Sequence, residues 1–415
     1  MQEQPTVIYV THAAPSAVGN GGVHRSYQIH LELQALVGPE RVLLLTEQGL
    51  RAQFRQTRAR QNGHHVRPER GVKSWFSFRA ATVTRGLKNP YRLLHRTPFV
   101  TGLHPQLKAY YEEQVRALPG RAVCVIDHAQ FAELIPVNRK YRIPTVSCTQ
   151  NFDALAQNLD GLNRSLTALG TPQAGQRFQL GVYAALTDFA NELQALAQCD
   201  ERLFISRLEA GLINGLGLSA HYHPYRPVGA IRERQEAIRQ RRAERAQEPG
   251  LFLMLGTATY GPIRKSCEWL IEHARRDGLP PGTQVVMIGA GTDKLLPPTE
   301  RIAGLTLKGW SEQAELDELL VRARAVLVPQ QAGFGVPTRL SELSCAGIPV
   351  LGGSQPTYAI EPPPGFHTLA DAWADWYAQL AQLSEQDTQV SAADYDAWEA
   401  AQPQPLAGVI KNLLN

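Results

Sequence analysis

The sequence predicts an α/β protein made of two parallel-sheet units in tandem, and three observations carry that reading. Short apolar runs recur between longer helix-patterned stretches, and glycine-rich turns follow several of them. The alternation breaks once, in a charged stretch between Arg226 and Leu251, and then starts again. With 415 residues, 43% hydrophobic and 19% charged, the chain is long enough for two cores and has an ordinary globular composition.

In the first unit, 1–226, the runs are Val7 to Val10, Val42 to Leu45, Val123 to Ile126, Thr145 to Ser147 and Leu203 to Ile205. Runs this short, separated by helical patterns, fit strands of a parallel sheet covered by helices. After the first run a glycine turn leads into Val23 to Leu36, where Tyr27, Leu31 and Ala35 share a helix face with Ile29 and Leu33 alongside.

Residues 227–250 are proline-bounded, strongly charged and too poor in apolar side chains for a core, so they read as an exposed helix or linker between lobes. The second unit, 251–390, restarts with Leu251 to Leu255 and continues through Val285 to Ile288, Leu305 to Leu307, Ala325 to Val328 and Pro349 to Leu351. A Trp-rich helix is expected around Ala372 to Leu383, and the tail, 391–415, is free to cross back to the first unit. Strand ends and helix N-termini of two such sheets make the cleft between them a natural ligand site.

Composition narrows the function classes. Five cysteines, at 124, 148, 199, 267 and 345, form no CxxC or Cys/His cluster, so buried thiols in a reducing compartment and no metal site are expected. The N-terminus turns polar too early for a secretion signal, and no apolar run approaches the roughly 20 residues that span a bilayer. A cytoplasmic location is the expectation, with peripheral attachment to an anionic membrane face left open. Between Arg51 and Arg96 twelve Lys or Arg face a single acid, Glu69, a formal +11 in a chain whose total is +4. With Trp75, Phe76, Phe78 and Tyr91 interspersed, that segment suits an acidic glycan, a phosphorylated acceptor or a membrane surface, or is a solvated insertion fastened by its aromatics. Nucleic acid would also be met by such a segment through stacking and phosphate contacts, but that partner leaves the glycine loops unexplained.

The most informative stretch is Val328 to Leu351. Gly333 and Gly335 follow a strand and permit close backbone approach, and a helix opening near Thr338 directs amides at a ligand. Arg339 offers a guanidinium fork for phosphate, and Glu342, three residues on, faces the same side, where its carboxylate suits the two hydroxyls of a ribose. A helix-surface ion pair is the alternative. In the first unit Gly21 and Gly22 support a tight turn before His24 and Arg25; Arg25 is either a phosphate contact or an exposed first-turn cation. His128 follows a central strand beside Asp127 and is either a hydrogen-bonding site residue or a strand-end histidine. Asn151 and Asp153 order the cleft or form an Asx turn, and Ser206 with Glu209 reads as a helix cap.

Together these motifs resemble the family 4 glycosyltransferases. The resemblance rests on Gly333-Phe334-Gly335, Arg339, Glu342 and Ala346 to Val350, with Gly256 to Arg264, Gly289 to Thr292 and Lys308-Gly309-Trp310 as further landmarks. It implies the GT-B fold, α/β with two Rossmann-like domains facing across a central cleft, and metal-independent, retaining transfer of a sugar from a nucleotide-diphosphate sugar. No cofactor is implied, and a uridine nucleotide is the favoured donor. On this basis Gly21, Gly22, Gly256, Thr257, Arg264, Gly291, Trp310, Gly333, Phe334, Gly335, Arg339 and Glu342 are expected at the donor, His128 and Arg339 at the chemistry, and Arg25, Asn151 and Asp153 toward the acceptor, a hydroxyl of a glycan, a lipid-linked or a phosphorylated molecule. Two positions depart from the family: Gln331-Ala332 stands where many members carry a glutamate, and Gln150 where they carry histidine. The missing carboxylate keeps open a non-catalytic nucleotide-sugar-binding or assembly subunit.

Overall fold

The computed structural model describes residues 6–49, 105–155, 186–330, 335–386 and 389–415. Gly333, Phe334 and the basic segment from Arg51 to Arg96 lie outside the described residues.

The first lobe holds β1 (Thr6–Thr11), β2 (Val42–Thr46), β3 (Ala122–Ile126), β4 (Thr145–Thr149), β5 (Glu201–Phe204) and β6 (His221–Tyr222). They lie in the order β2-β1-β3-β4-β5-β6, every neighbouring pair parallel. Successive side chains of a strand go to opposite faces. Ile8 and Val10 therefore pack with Cys124, Ile126 and Phe131, while Val7 and Tyr9 pack with Val123, Val125, Ile29 and Leu33. Both faces need apolar cover, which is why these strands read as unbroken apolar runs.

Helices α1 (Gly21–Val37), α2 (Pro105–Arg116), α3 (Ile135–Lys140) and α4 (Arg207–Gly215) belong to this lobe, with a further helical run over 186–197. The start of α1 is set by Asn20, whose Oδ1 accepts from the Val23 amide at 3.1 Å. It stops at Gly38, whose amide donates to the Gln34 carbonyl at 2.9 Å.

The second lobe holds β7 (Leu251–Leu255), β8 (Gln284–Ile288), β9 (Leu305–Gly309), β10 (Ala325–Val328), β11 (Val350–Gly352) and β12 (Phe366–Thr368), all parallel in the order β12-β11-β10-β7-β8-β9. The strand order reverses direction between β7 and β10, and in the first sheet between β1 and β3. Ligands of open α/β sheets bind at such switch points, beyond the carboxyl ends of the strands. Helices α5 (Gly229–Ala243), α6 (Gly261–Arg276), α7 (Gln313–Arg322), α8 (Arg339–Cys345), α9 (Gln355–Ala359) and α10 (Trp373–Glu385) surround this sheet.

The stretch 227–250, expected as an exposed helix or linker, forms a helix, but one with a buried face. Ile231, Gln235, Ile238 and Arg242 of α5 are buried, and Ile238 joins a core cluster with Leu320, Val326 and Leu343. Arg242 sends Nη1 to the carbonyls of Leu320 (2.6 Å), Val321 (3.2 Å) and Ala323 (2.7 Å), capping the end of α7. Composition missed this because a guanidinium that satisfies a helix end can be buried, whereas charge content alone counts it as surface.

At the C-terminus, Trp373, Trp376, Leu380 and Leu383 of α10 cover the second sheet. Then α11 (Ala392–Ala401) leads to α12 (Pro405–Leu414), whose Leu406, Val409 and Ile410 complete the core of the first sheet. All five cysteines are buried and unpaired. Among the described residues no helix is long and apolar enough to cross a membrane.

Candidate functional site

Loops from both switch points meet at the seam between the lobes. In the second lobe the loop after β7 begins at Gly256 and the segment after β10 leads into α8. The guanidinium of Arg339 ties them together, with Nη1 donating to the Leu255 carbonyl. Its Nε is buried without a hydrogen-bond partner, and burial lowers the pKa of the group. A partly buried cation held by one carbonyl has positive charge left over for an anion.

One turn along α8, Glu342 is buried and faces the same cavity, which His24, Val18, Gly19, Leu255 and Arg339 also line. Its Oε1 accepts from two side chains of the other lobe, His24 Nδ1 at 2.8 Å and the Tyr225 hydroxyl at 2.7 Å. Close by, Gly21 approaches Thr338 so tightly that a Cβ at 21 would sit 2.5 Å from Oγ1. Gly22 is held through its carbonyl by Gln150 Nε2 at 3.2 Å. Gln150 thus takes a structural part at the position where the family resemblance expects histidine.

On the first lobe, His128 lies at the carboxyl end of β3 with Nδ1 3.2 Å from Asp153 Oδ2. Burial works against its charged form, but Asp153, Asp127 and Glu47 outweigh it and push the pKa up to about 9. The surrounding carboxylates thus favour the charged form of the ring, which is a hydrogen-bond donor. Behind it Asp127 is fully buried, its Oδ2 accepting from Thr11 (2.5 Å) and Ser26 (2.7 Å). Glu192 holds the turn that carries Asp153, accepting from the Asp153 and Ala154 amides at 2.9 Å each. Its own pKa is raised to about 8 by burial and by the Asp153 charge.

The other expected residues, among those described, do not line this cavity. Arg25 does not reach the cleft: it is fully buried, donating to the His223 carbonyl at 2.6 Å and the Pro224 carbonyl at 3.1 Å. Arg264 is exposed in an i,i+4 pair with Glu268 at 2.7 Å. Trp310 is 67% exposed, and Thr257 is exposed in the loop after β7. Gly291 stands in left-handed backbone beside Thr259. Asn151 packs against Gly335, and its Oδ1 is buried without a partner.

Sequence reasoning gave no site role to Tyr225, Glu192 or the carboxylate of Glu209, which accepts from the Gly335 amide of the other lobe at 2.7 Å. The only signal for Tyr225 is the flanking pair Pro224 and Pro227, which stiffens the backbone around it. Among the described residues no group of His, Cys, Asp and Glu is arranged to hold a metal ion.

No protein-family model and no curated protein matches the sequence. Solved structures match nearly the whole chain. Anabaena Alr3699/HepE, in complex with UDP-glucose, is 10% identical, with 98% of each chain covered and a TM-score of 0.51. WaaG, a glycosyltransferase involved in lipopolysaccharide biosynthesis, is 13% identical over 97% of this chain and 99% of that one, with a TM-score of 0.50. At such identities the likeness is one of fold. Two parallel sheets, each flanked by helices and meeting at a central cleft, give this chain the GT-B fold of two Rossmann-like domains.

Proposed function

We propose that the protein is a metal-independent, retaining glycosyltransferase of family 4 type, which moves a sugar from a nucleotide diphosphate, uridine diphosphate first among the candidates, to a hydroxyl of a glycan or lipid-linked acceptor. The observation that carries this reading is the pairing of Arg339 and Glu342 in one inter-lobe cavity, at the switch point of the second sheet. An under-satisfied guanidinium suits the diphosphate, and a carboxylate one turn away suits the ribose. Two similar folds, one of them in a complex with UDP-glucose, favour the same ligand class.

The chemistry follows from charge. As the bond from sugar to phosphate breaks, negative charge grows on the departing diphosphate, where Arg339 is placed to stabilise it. The acceptor proton passes to the leaving phosphate, while His128, whose charged form the neighbouring carboxylates favour, orients oxygens in the cleft. Family resemblance supports the retaining outcome.

The test is a panel of uridine, guanosine and adenosine diphosphate sugars, with ligand-dependent stabilisation and product release measured on the wild-type chain and on Arg339→Ala and Glu342→Ala. One donor should stabilise the wild type and turn over, and both variants should lose it. Full activity in both variants rejects the assignment.

A further inference from the structure

The carboxylate of Glu342, on the donor wall, is gripped from the opposite lobe, and the grip is one-sided. Both donors, His24 Nδ1 at 2.8 Å and the Tyr225 hydroxyl at 2.7 Å, take Oε1. Oε2 has no hydrogen-bond partner among the described residues, and the side chain, 12% exposed, lines the cavity. A carboxylate oxygen has two lone-pair positions, the number needed to accept from two vicinal hydroxyls.

The donors are themselves held. His24 sits in the first turns of α1, next to Arg25, and Arg25 clamps the carbonyls of His223 and Pro224, the residues that lead into Tyr225. The Tyr225 carbonyl accepts from Ser341 of α8 at 3.3 Å, so the segment touches α8 twice, through Ser341 and through Glu342. Tyr225 is 2% exposed and His24 8% exposed, so packing holds both in place. Arg25, expected at the acceptor, thus acts through the backbone that carries Tyr225.

We propose that His24 and Tyr225 are positioning residues for the nucleotide: from the first lobe they fix Oε1 of Glu342 so that Oε2 is presented to the ribose, making nucleotide affinity depend on contact between the lobes. This rests on the donor-site reading above. The opposite arrangement, in which the two side chains compete with ribose for Glu342, gives the reverse sign.

The experiment is calorimetric titration of the full chain with uridine diphosphate, then guanosine and adenosine diphosphates. Wild type is compared with Tyr225→Phe, His24→Ala, His24→Gln and Glu342→Gln, and with Tyr225→Phe combined with Glu342→Gln. Tyr225→Phe removes only the hydroxyl, and each variant is first matched to wild type by circular dichroism. Tyr225→Phe and His24→Ala should each weaken binding about tenfold, the loss expected for a hydrogen bond to a charged group. His24→Gln, which keeps a donor, should recover most of it, and Tyr225→Phe should add little once Glu342 is Gln. Wild-type affinity, or tighter binding, in Tyr225→Phe and His24→Ala overturns the proposal while leaving the donor site standing. Failure of the wild type to bind any of the three nucleotides removes the donor-site reading and this proposal with it.

Discussion

The backbone amide of Gly335 donates across the seam to Oε1 of Glu209, at 2.7 Å. Gly335 is in left-handed backbone, with φ of 72°, and a Cβ there would lie 2.7 Å from the Gln150 carbonyl oxygen. Glu209 heads α4, where its amide donates to Ser206 Oγ at 3.3 Å, so the hydroxyl half of the expected cap forms while the carboxylate serves the other lobe instead. Burial pushes that carboxyl up to about 7, against the opposing pull of the Gly335 amide.

Removing the Glu209 carboxylate should loosen the glycine segment without unfolding either sheet. Glu209→Ala is expected to cost about 1–3 kcal/mol, the penalty for leaving a buried amide unpaired, and Glu209→Gln, which retains an acceptor oxygen, appreciably less. Urea unfolding of both variants measures this, and equal losses would place the cost in packing rather than in the hydrogen bond.

Arg339 and Arg264 should separate cleanly. Arg339→Ala is expected to lower kcat/KM for the donor by roughly 100-fold or more, in the range for a group that stabilises developing charge. Arg264, 61% exposed and paired with Glu268, should tolerate alanine with little change in rate or stability. Steady-state kinetics on both variants decide it; a large loss in Arg264→Ala would move the phosphate contact to the mouth of the cleft.

Stability should fall as the medium becomes alkaline. The pKa of His128 rises from 6.5 to about 9 on folding, so its contribution is complete below pH 6.5 and is lost as pH climbs through 9. Glu192 and Glu209, raised to about 8 and about 7, likewise favour the folded state below their unfolded values near 4.5 and lose that advantage as pH rises through the folded ones. Denaturation midpoints recorded from pH 6 to pH 9 should therefore drop. In His128→Asn the drop should shrink by an amount on the order of 2 kcal/mol; an unchanged slope would show that the ring does not hold its proton.

The terminal helix should be integral to the first lobe. Ile410 is fully buried against the first sheet, so Ile410→Ala is expected to cost about 2–5 kcal/mol. A thermal melt reads this directly, and a change under 0.5 kcal/mol would mean that α12 merely rests on the surface.

Much of the fold was legible because its signals are local. A strand covered on both faces must be apolar throughout, so Val7 to Val10 and Leu251 to Leu255 stand out. Residues 227–250 misled because charge is counted by type, whereas burial of Arg242 depends on the three carbonyls that α7 brings to it.

Sequence alone determined two α/β units and put Arg339 and Glu342 side by side, since those two residues share one turn of one helix. Tertiary structure decided which partners they meet: Tyr225 and His24 reach Glu342 from the other lobe, and Arg25 turns inward to a backbone instead of outward to a ligand. Hydrogen bonds between residues 117 and 318 positions apart are made by the docking of two separate sheets, and no local pattern of residues encodes the angle at which those sheets meet.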